Sequence, residues 1–151
     1  MMRFFDYDTL VVDNFQELHL FERFDKNKSL LVLNSTLFNL LLNIIGRGNF
    51  GDGLMKLQTF EVADLLTINP SLLPKYENED FLKREHLNLY TELGFDKTQP
   101  IREQEPNPLP DRKELDDIIF DELGLTEAER KEVYWATAEL VKQRLDKASS
   151  R

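Results

Sequence analysis

The chain has 151 residues, 31% charged and 41% hydrophobic, and its 28 acidic against 19 basic side chains leave a formal charge of −9. That length makes one compact domain with room for an appendage, able to bury roughly two thirds of its unfolded surface, and 11 Phe, 4 Tyr and one Trp supply the bulk for a core. With no cysteine, disulfides, thiolate metal sites and cysteine nucleophiles are excluded, and two separated histidines, His19 and His86, do not form a histidine metal cage.

The longest apolar stretch, residues 37–45, is interrupted by Asn39 and Asn43 and falls short of the ~20 residues that a bilayer span requires. The opening Met1-Met2-Arg3-Phe4-Phe5-Asp6 has neither the apolar core nor the small-residue cleavage site of a secretory signal. The expectation is a soluble, cytoplasmic chain with no membrane contact. Charge is uneven: residues 1–75 carry 7 basic and 9 acidic groups, residues 76–151 carry 12 and 19.

In chain order, Thr9-Leu10-Val11-Val12-Asp13 and residues 18–24 favour extended structure, with Asp13-Asn14 as the turn of a hairpin. Residues 30–45 are apolar at helical spacing, with Gly46 as the C-terminal cap and Ser35 or Thr36 able to break the start. Gly46-Arg47-Gly48-Asn49-Phe50-Gly51-Asp52-Gly53, with four glycines in eight residues, predicts a shaped loop. A strand over residues 54–60, a helical turn over 61–66 and a short extended piece at Thr67-Ile68 stopped by Pro70 follow. The fold expected is therefore α+β: a small mixed sheet with a packed helix in the first half and a helical second half. Residues 1–74 form the α+β domain, 75–98 a helical extension closing on Gly94, 99–110 a proline-rich linker, and 111–151 a C-terminal helical hairpin. Asp111-Arg112-Lys113-Glu114 and Thr126-Glu127-Ala128-Glu129 both have capping-box spacing. The last helix is expected to run to about Lys147, with Val133, Ala136, Leu140, Val141 and Arg144 on one stripe.

Several patterns resemble chemistry. Residues 46–51 spell G-x-G-x-x-G, but a phosphate-binding turn needs a strand before it and a helix after it, and the order here is reversed. Pro110-Asp111 with Glu129-Arg130-Lys131 matches the spacing of a metal-dependent nuclease; both acids are better explained as helix-start residues that complement the dipole. The acidic group Asp116, Asp117, Asp121 and Glu122 reads as a solvated helix face. Neither histidine has a visible catalytic partner, so no catalytic residue, metal site or cofactor is assigned. What remains is Arg47, Asn49, Lys56, Gln58 and Thr59 on or beside the glycine loop. Arginine and amide side chains read base edges and lysine neutralises phosphate, so these five are candidate nucleic-acid contacts, although such residues are equally normal in any solvent-exposed loop; the family resemblance below implies that they are DNA-binding.

The stretches Leu33-Asn34-Ser35-Thr36-Leu37-Phe38, Gly46 through Gly53, Leu57-Gln58-Thr59-Phe60, Asp64-Leu65-Leu66 and Glu114 through Thr126 carry a family resemblance. The chain resembles the C-terminal target-recognition region of adenine-specific DNA methyltransferases of restriction–modification systems, with a layout related to type I specificity subunits. The resemblance implies a module that helps such an enzyme choose its sequence on double-stranded DNA, its loop and following strand facing a groove. Methyl transfer by this chain is not expected. The Asn-Pro-Pro-aromatic motif that marks the flipped-base pocket has only Asn69-Pro70-Ser71-Leu72 and Asn107-Pro108-Leu109-Pro110 as counterparts, and no glycine-rich methyl-donor turn is present. The net charge of −9 opposes free-standing duplex binding, so a catalytic methyltransferase partner or domain is implied; a homo-oligomer is also compatible. The alternative is a non-enzymatic protein-interaction domain that presents Tyr134, Trp135 or Leu140 from its C-terminal helices.

Overall fold

In the computed structural model, residues 19–50, 54–75, 85 and 87–149 are described. Ser35 divides the long apolar stretch into two helices, α1 (Lys26–Asn34) and α2 (Thr36–Ile45), bent by 59°. Its extended backbone stops α1, its own N–H donating to Val32 O at 3.2 Å, and its hydroxyl accepts from Phe38 N at 3.1 Å to cap α2. Residues on both sides of this joint are buried, including Leu31, Val32 and Phe38. No single helix among the described residues is long and apolar enough to cross a membrane.

After Gly46 the backbone forms β1 (Arg47–Phe50) and β2 (Leu54–Lys56), paired antiparallel, and then α3 (Thr59–Ala63). The expected strand over residues 54–60 is cut short because Gln58 starts a helix instead: its backbone N–H donates to Glu61 Oε2 at 2.7 Å. Residues 65–69 are irregular and lead into a 3₁₀ turn, Pro70–Leu72. The first half is therefore not α+β around a small mixed sheet. Helices carry the fold among the described residues, and the strand pairing present is this short ribbon, too small to bury a face.

The expected N-terminal hairpin lies largely outside the described residues. Over residues 19–24 no strand forms, and Phe24 N donates to Phe21 O at 2.9 Å in a turn. Within the expected helical extension, residues 76–84 and 86 lie outside the described residues, Glu85, Leu87 and Asn88 are not helical, and a helix forms only as the short α4 (Leu89–Leu93), started by Asn88, whose side chain accepts from Thr91 N at 3.1 Å. Gly94 ends α4 at φ 75°, a conformation that suits glycine. The proline-rich segment after it is irregular apart from a 3₁₀ turn, Ile101–Glu103.

Two long helices complete the chain: α5 (Pro110–Glu122) and α6 (Glu127–Ser149). The expected capping box at Asp111 does not form. Pro110 takes the first helical position, which its missing N–H and fixed φ favour, and Asp111 falls inside the first turn. The box at Thr126 does form, with Thr126 N donating to Glu129 Oε2 at 2.8 Å and Glu129 N to Thr126 Oγ1 at 3.4 Å. The buried stripe of α6 is Val133, Tyr134, Thr137, Ala138 and Val141, shifted from expectation: Ala136 and Leu140 are half-buried. Helix α2 lies along α6, and α4 and the Ile101 turn pack on α6 as well.

Two apolar clusters result. One joins Tyr90, Leu93, Phe95, Ile101 and Phe120 to the buried stripe of α6. The other joins Leu31, Val32 and Leu73 to Leu115 and Ile119, and Leu37 packs against both. Full burial of side chains such as Leu93, Leu115, Ile119 and Phe120 contributes about 1.5–3 kcal/mol each.

Candidate nucleic-acid interface

The ribbon positions three of the five candidate DNA-binding residues. Its backbone register sets Arg47 opposite Lys56, with Asn49 two residues further along β1. Gln58 and Thr59 leave the ribbon: Gln58 is the half-buried N-cap of α3 and Thr59 its exposed first residue. Gly46 joins α2 to the ribbon, and only a residue without a side chain fits there. A Cβ would lie 2.8 Å from Leu42 O and 2.3 Å from Met55 Sδ; the thioether can move aside, the carbonyl cannot. Gly46 thus lets β2 approach the end of α2. The glycine-loop expectation is corrected over residues 47–50, which are strand, and Gly51, Asp52 and Gly53 lie outside the described residues.

From α6, Arg144 reaches this junction. Its Nη1 donates to Asn43 Oδ1 at the end of α2 and lies 3.5 Å from Met55 Sδ in β2. Its Nε is buried without a hydrogen bond. Burial lowers the Arg144 pKa, with Tyr90 opposing.

Elsewhere on the second half, cations meet carboxylates. Arg102 pairs with Glu132 at 2.6 Å and Glu139 at 2.9 Å, Lys131 with Glu105 at 2.8 Å, and Arg130 with Asp117 and Asp121. Hydrogen bonds to Glu132 and Glu139 hold the Arg102 pKa above its usual value, and the Arg102 hydrogen bond lowers that of Glu132.

Sequence reasoning missed a buried polar network. Asp116, expected on a solvated face, is fully buried: its carboxylate accepts from Thr36 N at 2.7 Å and Thr36 Oγ1 at 2.6 Å. It thus serves the first turn of α2, 80 residues away in sequence. Desolvation pushes its pKa up from 3.8 to about 6, against Arg112 and the Thr36 hydrogen bonds. Arg112, one turn earlier, donates from Nε to Glu92 Oε2 at 3.2 Å and from Nη1 to Asn34 O at 2.6 Å, and both members of the ion pair are buried. The signal was present in spacing: Arg112, Leu115, Asp116, Ile119 and Phe120 share one helical stripe, so the two charges belong to the apolar face. The network ties the α1–α2 joint to α4 and α5.

The residues of the alternative reading are engaged internally. Tyr134 is buried, packed edge-on against Phe120 at 5.7 Å, and burial followed by the Asp116 charge drives its pKa up. Trp135 is half-buried, its Nε1 donating to Gln104 O at 2.7 Å and its ring 5.8 Å from the Arg102 guanidinium. Among the described residues no three His, Cys, Asp or Glu side chains gather as a metal site, and Glu129 is held by its Thr126 cap. His19 is exposed outside any strand, and His86 lies outside the described residues.

No protein-family model, no curated protein and no solved structure matches this chain.

Proposed function

We propose that this chain is a target-recognition module for double-stranded DNA, of the kind found in adenine-specific methyltransferases, that acts with a catalytic partner and transfers no methyl group itself. One observation carries the reading: the ribbon register that sets Arg47 opposite Lys56. Like charges at directly opposed positions disfavour strand pairing, and a phosphate brought against the ribbon removes that penalty. Local charge supports it. Residues 26–60 carry Lys26, Lys28, Arg47 and Lys56 against Asp52 alone, within a chain whose total is −9. Among the described residues, the most extensive contact of the ribbon is between its own two strands.

Fluorescence anisotropy with duplex DNA at rising salt tests the proposal. Lys56→Ala weakens binding to all sequences alike and reduces the slope of log affinity against log salt by about 0.9. Arg47→Ala removes discrimination worth about 1–3 kcal/mol at one base pair. Unchanged affinity in both variants refutes the assignment.

A further inference from the structure

Arg144 differs from the other described arginines of the second half. Arg102, Arg112 and Arg130 each bind carboxylates, whereas the hydrogen bonds of Arg144 go to a neutral amide and a thioether, Asn43 and Met55. Asp146, two residues on, is taken by Lys142 at 3.6 Å. A half-buried guanidinium without an anion is expensive to hold. Of its donors, Nη1 is occupied and Nε is buried without a partner, and no hydrogen bond from Nη2 is present among the described residues. Met55 precedes Lys56 in β2, and Lys56 pairs with Arg47, so Arg144 stands at the base of the cationic ribbon.

We propose that Arg144 is a nucleic-acid phosphate ligand: Asn43 and Met55 fix the guanidinium through Nη1, and Nη2 donates to a backbone phosphate oxygen beside the ribbon. This rests on the DNA-recognition reading and extends it from the ribbon to α6. A planar guanidinium suits the site because one edge can be anchored while the other binds. The contact is to phosphate, so it adds affinity without sequence preference.

The test is a salt titration of duplex binding by the full chain, with Arg144→Gln and Arg144→Lys beside the wild type. One phosphate contact is worth about 0.9 in the log–log slope, so between 50 and 200 mM salt the wild type should lose about 3.5-fold more affinity than Arg144→Gln. Arg144→Lys keeps the wild-type slope. In the wild type, the Arg144 Nε–H resonance shifts when duplex is added, a readout that needs no variant. A wild-type slope in Arg144→Gln, equal loss of affinity in both variants with slopes unchanged, or a stationary Nε–H resonance overturns the role of Arg144 and leaves the ribbon reading standing. Failure of the wild type to bind any duplex overturns both.

Discussion

Asp116→Asn should make the protein less sensitive to pH in a window set by a single buried carboxyl. In the folded chain the pKa of Asp116 rises from 3.8 to about 6 because burial penalises the charge, so the folded state holds this proton more tightly than the unfolded one. Stability from this group is therefore fully present below about pH 4 and is lost as pH rises through about 6. The full difference is about 3 kcal/mol, of which about 2 falls between pH 4.5 and 7.5. Carboxylates such as Glu132, whose pKa is lowered by Arg102, work in the opposite direction. The quantity to measure is thus the difference between wild type and Asp116→Asn in urea unfolding followed by circular dichroism. An asparagine can still accept from Thr36 N and donate to Thr36 Oγ1, and the difference should move by about 2 kcal/mol in favour of the variant as pH rises from 4.5 to 7.5. Asp116→Ala instead leaves the two Thr36 donors buried and unsatisfied and should cost about 2–4 kcal/mol. A difference between wild type and Asp116→Asn that stays flat with pH, or an alanine variant within about 0.5 kcal/mol of wild type, refutes the reasoning.

Three further substitutions probe the framework. Arg112→Met removes the partner of buried Glu92 and should destabilise by about 3–5 kcal/mol in chemical denaturation, with Glu92→Gln in the same background recovering part of the loss. Gly94→Ala forces a side chain into φ 75° with its Cβ 2.0 Å from Asn107 O, whereas the Cβ of Gly124→Ala at φ 65° meets nothing within 4 Å. Thermal melts should show the first far more damaging than the second, which should cost only about 1–2 kcal/mol of backbone strain. Thr126→Ala removes the hydroxyl half of the capping box of α6 and should lower stability by about 0.5–2 kcal/mol, with the earliest loss of hydrogen-exchange protection in the first turn of that helix.

Local chemistry was legible in the sequence at several boundaries that one residue decides. Ser35 breaking the apolar run and the Thr126–Glu129 box are written in side chains that satisfy nearby amides, and Gly94 ends its helix through a positive φ. Long-range outcomes were not. Residues 57–60 have strand-like alternation, yet Gln58 caps a helix that begins at Thr59, and with a two-stranded ribbon among the described residues a longer extended segment has nothing to pair with. The acids of α5 read as surface because charge dominates their composition, whereas Asp116 is used by Thr36 in a distant helix. Arg144 was assigned to an apolar stripe, whereas its guanidinium bonds to Asn43 and Met55. Its free donor becomes apparent only when α2, β2 and α6 meet.

The account depends most on duplex DNA contacting the ribbon. Backbone amide shifts in the ¹⁵N-labelled chain, followed as duplex is titrated in at low salt, test this directly. Perturbations should concentrate at Arg47, Asn49, Met55, Lys56 and Arg144, with Trp135 and its neighbours on α6 unaffected. Shifts confined to the Trp135 region, or none at any residue between 46 and 59, would contradict it.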